Sequence, residues 1–251
     1  LIRLWLHECS RVFRDRLVDD ADREWFRPLV SEKMTQHFKM AWSDVVGTQD
    51  HILFCDFMVP NADVRRYIEV QDTNKAVKVV EEYLDDYNAI SNTPMKLVMF
   101  LDAVDHISRI SRVIRQPQGH MLLLGVGGSG RQSLTRLAAH IAEYKLFQIE
   151  VTKSYGQNEW RDDLKKMLTK AGLDNQVVVF LFTDTQIVKE SFLEDINNIL
   201  NTGEVPALWA ADEMDNILST CRPLVQQEGG KQDKNSIYRY FVRRCQRNIH
   251  I

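Results

Sequence analysis

Nine residues, Gly125-Val126-Gly127-Gly128-Ser129-Gly130-Arg131-Gln132-Ser133, stand between the apolar run Met121-Leu122-Leu123-Leu124 and an amphipathic run carrying Leu134, Leu137, Ala138 and Ile141. Glycines let a backbone turn tightly and approach an anion, and a helix beginning just after them points free N–H groups and its positive dipole end at that anion. A phosphate is therefore expected over Gly127 to Gln132. Farther along, the buried-strand pattern Val177-Val178-Val179-Phe180-Leu181-Phe182 runs into Thr183-Asp184-Thr185. A carboxylate at such a strand end is where triphosphate sites hold magnesium, here Asp184 through a water. Thr185 occupies the place where hydrolysing sites carry a second carboxylate, and threonine is no base near neutral pH. General-base assistance is worth ~10²–10⁴ in rate, so the pattern favours binding over turnover.

The glycine loop fits two templates, which lead to different chemistry. As G-x-x-x-x-G-K-[ST], Gly125 and Gly130 match, but Arg131 holds the lysine place and Gln132 the hydroxyl place. The planar fork of arginine is not equivalent to the compact ammonium of lysine, an amide replaces the magnesium-binding hydroxyl, and Ser133 offers a hydroxyl one step displaced. As G-x-G-x-x-G, Gly125, Gly127 and Gly130 all match, with Glu150 about 20 residues on as a ribose-binding carboxylate. The second template expects its loop on the first strand of its domain, whereas two long helical patterns precede this one. The triphosphate reading stands first, with a dinucleotide site or a loop that only closes packing left as alternatives.

The elements that must position these residues follow from period and punctuation. Trp5, Val12, Phe13 and Leu17 recur at helical spacing up to a break at Asp19-Asp20, and Trp25 to Trp42 gives a second helical stretch. The run from His51 to Val59 is rich in strand formers and stops at Pro60-Asn61, so a boundary is placed near residue 45, dividing 1–45 from 46–251. Asp72-Thr73 caps a helix with Val77, Val80, Leu84 and Tyr87 inward, and Leu97 to Ile114 forms another. After the loop-bearing strand at Met121 to Leu124, strands Phe147 to Val151 and Val177 to Phe182 alternate with a helix Glu159 to Lys170 that Gly172 ends. Helices Ser191 to Leu200, closed by Gly203, and Asp212 to Cys221, before Pro223, come next, and Ser236 caps a last one leading to Ile249. Strands apolar throughout, alternating with helices, predict an α/β fold whose parallel sheet is covered on both faces.

The 251 residues are 44% hydrophobic and 27% charged, with a net charge of −3, which is enough for a sizeable core and gives no general attraction to nucleic acid or membrane. Cys9, Cys55, Cys221 and Cys245 show no C-x-x-C pairing, so neither a zinc site nor a disulfide framework is expected. No apolar run approaches 18 residues. The opening at Leu1 and the close at Ile249-His250-Ile251, which reads as the start of a strand, suggest a piece of a longer protein.

The segment Gly119-His120-Met121 through Ala138 resembles the fourth AAA+ module of axonemal dynein heavy chains. So do Lys153-Ser154-Tyr155-Gly156 with Asn158-Glu159-Trp160-Arg161, Thr183-Asp184-Thr185-Gln186-Ile187, Phe192 to Ile196, Leu200 to Pro206, and Asp105-His106-Ile107-Ser108-Arg109-Ile110. Residues from Leu1 to about Ala41, with Leu4-Trp5 and His7-Glu8-Cys9-Ser10-Arg11-Val12, resemble the helical lid of the preceding, third module. The resemblance implies a P-loop AAA+ parallel sheet in a six-module ring, with neighbouring modules of the same chain as partners. It further implies a microtubule motor with light and intermediate chains, located in the cytoplasm, cytoskeleton and the axoneme of cilia and flagella. By position, Gly125, Gly127, Gly128, Ser129, Gly130, Arg131, Gln132 and Ser133 would wrap the phosphates of ATP or ADP. Asp184 would be the Walker B aspartate serving Mg²⁺, and the site would be regulatory.

Plainer readings apply to the remaining candidates. Asp102 and His106, one turn apart, read as a surface pair, and His7-Glu8-Cys9 lacks a matching ligand pair for a metal. Arg239, Arg243, Arg244 and Arg247 read as a solvated face, as do Glu81-Glu82 with Asp85-Asp86, and Trp160 reads as a packing residue.

Overall fold

The computed structural model describes residues 1–47 and 52–251, so His51, the first residue of the expected strand, lies outside the described residues. The chain divides into two compact units, Leu1–Arg109 and Ile110–Ile251.

In the first unit, helices α1 (Ile2–Val12), α2 (Asp20–Phe38) and α3 (Trp42–Val46) come before a short antiparallel pair, β1 (Phe54–Cys55) with β2 (Ile68–Glu69), and the long helix α4 (Thr73–Ile90). The break expected at Asp19-Asp20 is the start of α2: Asp19 is its N-cap, whose carboxylate accepts the N–H of Asp22, and the helix begins five residues before Trp25. Asp72 caps α4 as expected, accepting from Asn74 and Lys75. Val80 and Leu84 are buried while Glu81, Glu82, Asp85 and Asp86 stay exposed. The strand expected through Val59 shrinks to two residues. Leu6, Phe26, Val30, Met34, Val45 and Val46 share one apolar cluster with Ile52 and Phe54, so the helical segment packs directly on the residues that follow it. Helix α5 (Leu101–Ile114) runs across the division between the units.

The second unit carries a parallel sheet of β3 (Lys145–Phe147), β4 (Val178–Phe180) and β5 (Ile249–His250), in that spatial order. All three residues of β4 are buried, which requires cover on both faces and explains why the sequence does not alternate there. Val178 and Phe180 enter a cluster with Trp160, Leu164, Phe192, Ile217 and Phe241, contributed by helices α7 (Gln157–Gly172), α8 (Ser191–Thr202), α9 (Ala211–Gln227) and α10 (Lys234–Asn248). Helix α6 (Arg131–Ile141) packs beside β3, with Leu137 and Ala138 fully buried.

Three expectations change for physical reasons. Gly172 is the last residue of α7 and has no positive φ. A Cβ there would lie 2.2 Å from the Phe241 ring and 2.8 Å from Cys245 Sγ, so α10 demands glycine, not a turn. Pro223 lies inside α9, which continues to Gln227. The N-cap of α10 is Asp233, whose carboxylate accepts both the N–H and the hydroxyl of Ser236, the residue expected to cap.

The expected strand Met121 to Leu124 is also not formed. Met121 N–H donates to Ile251 O at 2.8 Å, but Leu122 and Leu124 remain 83% and 81% exposed. A strand needs a partner backbone, and among the described residues none pairs with Leu122 to Leu124.

Candidate phosphate-binding site

The approach to the glycine loop is held against β5 by three bonds. His250 Nδ1 donates to Gly119 O, His120 Nδ1 accepts the N–H of Ile251, and Met121 N–H donates to Ile251 O. The partners advance together, so the segment runs parallel to β5, on the edge away from β4. The acceptor role of His120 Nδ1 requires that imidazole to be neutral, and burial holds both His120 and His250 below the ordinary histidine value, although the bond to Gly119 O opposes the shift at His250.

The resulting order is β3, β4, β5 and then the loop-bearing segment. In the dinucleotide fold the strand carrying the glycine loop neighbours the strand that follows it in sequence. Here the next strand, β3, is separated from it by two others. Glu150, just past β3, is therefore on the wrong side of the sheet for the ribose role, and the topology speaks against the dinucleotide alternative. Gly125 follows the segment bonded to Ile251, and Asp184 follows β4, so each comes after the carboxyl end of its stretch, the end at which open α/β sheets bind ligands.

Three of the loop's four glycines have distinct reasons. Gly128 and Gly130 adopt φ of +78° and +79°, a region that other residues enter only with strain. Gly127 has no positive φ, and a Cβ built there would meet nothing within 4 Å. Neither packing nor backbone conformation asks for glycine at this position, but a cradle that a side chain would fill does.

Beneath the loop, α6 begins at Arg131 with no side-chain cap and no acidic residue in its first turn. The backbone N–H groups of Gly127, Gly128, Gly130, Arg131, Gln132 and Ser133 find no acceptor among the described residues, whereas Ser129 N–H donates to Val126 O at 3.3 Å. Helices α2, α4 and α10 satisfy the same groups with aspartates. An uncapped N-terminus with a cation as its first residue is opposed by the helix dipole, and an anion relieves both defects.

Asp184 and Thr185 are exposed in a single 3₁₀ turn, Asp184–Gln186, where Asp184 Oδ1 accepts the N–H of Thr185 at 3.0 Å and Thr185 Oγ1 meets Thr183 Oγ1 at 3.0 Å. The residue that fixes this turn escaped the sequence reading. Gln186 is buried; its Nε2 donates to Ile149 O at 2.7 Å and its Oε1 accepts Thr183 N–H at 2.9 Å, tying the end of β4 to the end of β3. A glutamine two residues after an aspartate carries no local signal of that role.

The other candidates resolve as structural. His7 is buried, with Nδ1 against Ile52 O and Nε2 against the hydroxyl of Tyr67, and no metal-binding group occurs among the described residues. Arg239, Arg243 and Arg247 are exposed along α10, but Arg244 turns inward to Leu173 O and lies over the Tyr240 ring. Asp102 and His106 are both exposed. No helix among the described residues is long and apolar enough to cross a membrane.

The chain is similar to known proteins along its whole length. Residues 95–251 match the family model for the P-loop containing dynein motor region D4, and residues 1–48 match the AAA+ lid domain. The chain is 53% identical over its full 251 residues to dynein axonemal heavy chain 1 of Homo sapiens and equally to that of Rattus norvegicus, and 44% identical over 254 aligned residues to dynein axonemal heavy chain 6 of Homo sapiens. It spans about 6% of the length of these relatives. A parallel sheet whose glycine loop lies beside its last strand, a helical lid segment before it, and this identity along the whole chain lead to one conclusion: the chain belongs to the P-loop dynein motor region D4 family of AAA+ modules.

Proposed function

We propose that this chain is a nucleotide-holding module of an axonemal dynein motor ring, with weak or no hydrolysis of its own. The observation that carries the reading is the uncapped start of α6 under a glycine loop with open space at Gly127. Gly125, Gly127, Gly128, Ser129, Gly130, Arg131, Gln132 and Ser133 would hold the phosphates of ATP or ADP. Asp184 is the group that would bind a magnesium-bound water. Neither Thr185 nor Gln132 can supply what a hydrolysing site needs, since one is no base and the other is no hydroxyl. Residues 1–45 would be the lid of the preceding module and 46–251 the large subdomain of this one, with neighbouring modules of the same chain as partners. Through the parent motor, the proposal extends to microtubules, to light and intermediate chains, and to ciliary movement in the cytoskeleton of the axoneme.

Nucleotide that binds only the native state must raise stability, by about 2.7 kcal/mol at a hundred times its dissociation constant. ADP and ATP are therefore each expected to shift the thermal melt upward in proportion to the logarithm of concentration. A melt unmoved at millimolar nucleotide would sink the ligand role and leave the chain a structural spacer.

Turnover gives a separate test. Thr185→Glu combined with Gln132→Thr restores a base and a hydroxyl, and phosphate release is expected to rise roughly 10²-fold, the lower end of what a general base contributes. An unchanged rate would show that the missing base does not limit hydrolysis.

A further inference from the structure

The guanidinium of Arg131 is tied to the loop it belongs to. Nη2 donates to Val126 O at 3.1 Å and Nη1 to Leu123 O at 3.4 Å. Val126 O also accepts the N–H of Ser129, so one carbonyl holds both the arginine fork and the closed turn from Val126 to Ser129. The side chain crosses over Gly125, where a Cβ would lie 3.7 Å from Arg131 Cδ and Nε and 3.3 Å from Ser129 Oγ. These carbonyls offset a cation that the α6 dipole otherwise disfavours.

We infer that Arg131 is a latch on the phosphate loop, setting how readily a nucleotide phosphate enters, rather than a ligand standing ready for it. The inference rests on the nucleotide reading above and concerns how that site is controlled. An entering phosphate competes with Val126 O for the same guanidinium. It also competes for the Ser129 N–H, the one amide between Gly127 and Ser133 that the loop has already used. A lysine would hold this latch more weakly, because its ammonium is a compact, strongly hydrated charge on a flexible stem and lacks the rigid fork that spaces two donors for two fixed carbonyls. The substitution that looks like a damaged phosphate ligand thus acts as a two-point restraint.

Arg131→Lys keeps the charge and loosens the two-point restraint. Hydrogen bonds to a charged group are each strong enough that losing one changes an opening equilibrium roughly tenfold. In the nucleotide-free 251-residue chain, the Ser129 amide is expected to exchange with solvent about tenfold faster in the variant. Amides of the α7 and α10 core should be unaffected, which serves as the check on folding. With a fluorescent N-methylanthraniloyl ADP as probe, the association rate constant is expected to rise about tenfold, with little change in dissociation. Equal Ser129 exchange in the two proteins overturns the latch whether or not nucleotide binds. Slower association in Arg131→Lys also overturns it, since that marks the arginine as a group already free to capture the incoming phosphate rather than one held by the loop. Faster Ser129 exchange with no probe binding to either protein supports the latch and removes the nucleotide reading instead.

Discussion

Arg11→Met is expected to lower the unfolding free energy of this chain by about 3–5 kcal/mol, read as a drop in the urea midpoint at unchanged slope. Arg11 belongs to a closed ring of four charges. Its Nε faces Asp15 and its Nη1 faces Asp105, both at 3.3 Å, while Arg109 reaches Asp15 at 3.6 Å and Asp105 at 2.6 Å. The Arg11 side chain is only 5% exposed and that of Asp105 13%, so solvent replaces a lost partner poorly at that pair, whereas Asp15 lies open to it. Burial, reinforced by the Arg109 charge, holds the Arg11 guanidinium below its ordinary value. Such a ring need not stabilise the fold relative to an apolar equivalent, because four charges are desolvated to make it. Removing one member is a different matter, since the poorly exposed Asp105 would then share Arg109 with Asp15. Asp105→Leu is expected to be similarly costly. The double variant Arg11→Met/Asp105→Leu should lose clearly less than the sum, because each change removes the charge that the other strands. Additive losses, or a single loss below about 1 kcal/mol, would place the ring among surface pairs of little weight.

Trp160→Ala should cost about 3–5 kcal/mol in the second unit, for reasons of volume rather than charge. Trp160 is fully buried and stacks on Phe192 with centroids 4.3 Å apart and planes 8° apart. Its indole Nε1–H donates to Asp195 Oδ2 at 2.8 Å. The ring therefore joins α7 to α8 and covers Phe180 of β4, the strand that leads to Asp184. Alanine leaves a large cavity and an acceptor without its donor. Phenylalanine should recover much of the packing and none of the hydrogen bond, so Trp160→Phe is expected to fall between the wild type and alanine. An alanine variant within about 1.5 kcal/mol of wild type would mean that the cluster collapses onto the gap.

Both predictions join motifs that were visible separately. The run from His7 to Val12 and the run from Asp105 to Ile110 were each legible as family patterns, yet nothing within either said that Arg11 would meet an aspartate 94 positions later. Asp102 and His106, the pair whose spacing suggested chemistry, stay on the surface. Trp160 and Asp195 lie 35 residues apart, and the tryptophan was readable as a packing residue without its partner.

What the sequence determined by itself was local or compositional. The glycines of the loop, the Asp72 cap, the wet and dry sides of α4 and the unbroken apolar run of β4 follow from preferences acting over a few residues, which chain neighbours largely settle. The substitutions at Arg131, Gln132 and Thr185 were legible for the same reason, because a phosphate loop and a strand-end carboxylate are short patterns. Tertiary structure alone decided the order of the strands, the burial of Gln186 beneath the Asp184 turn, the glycine that α10 demands at position 172, and the carbonyls that hold Arg131. Each of these depends on which distant groups come together once apolar faces are buried, or on how a loop settles around a side chain. No spacing along the chain encodes such a meeting, because its energy comes from packing and desolvation, not from local backbone preference.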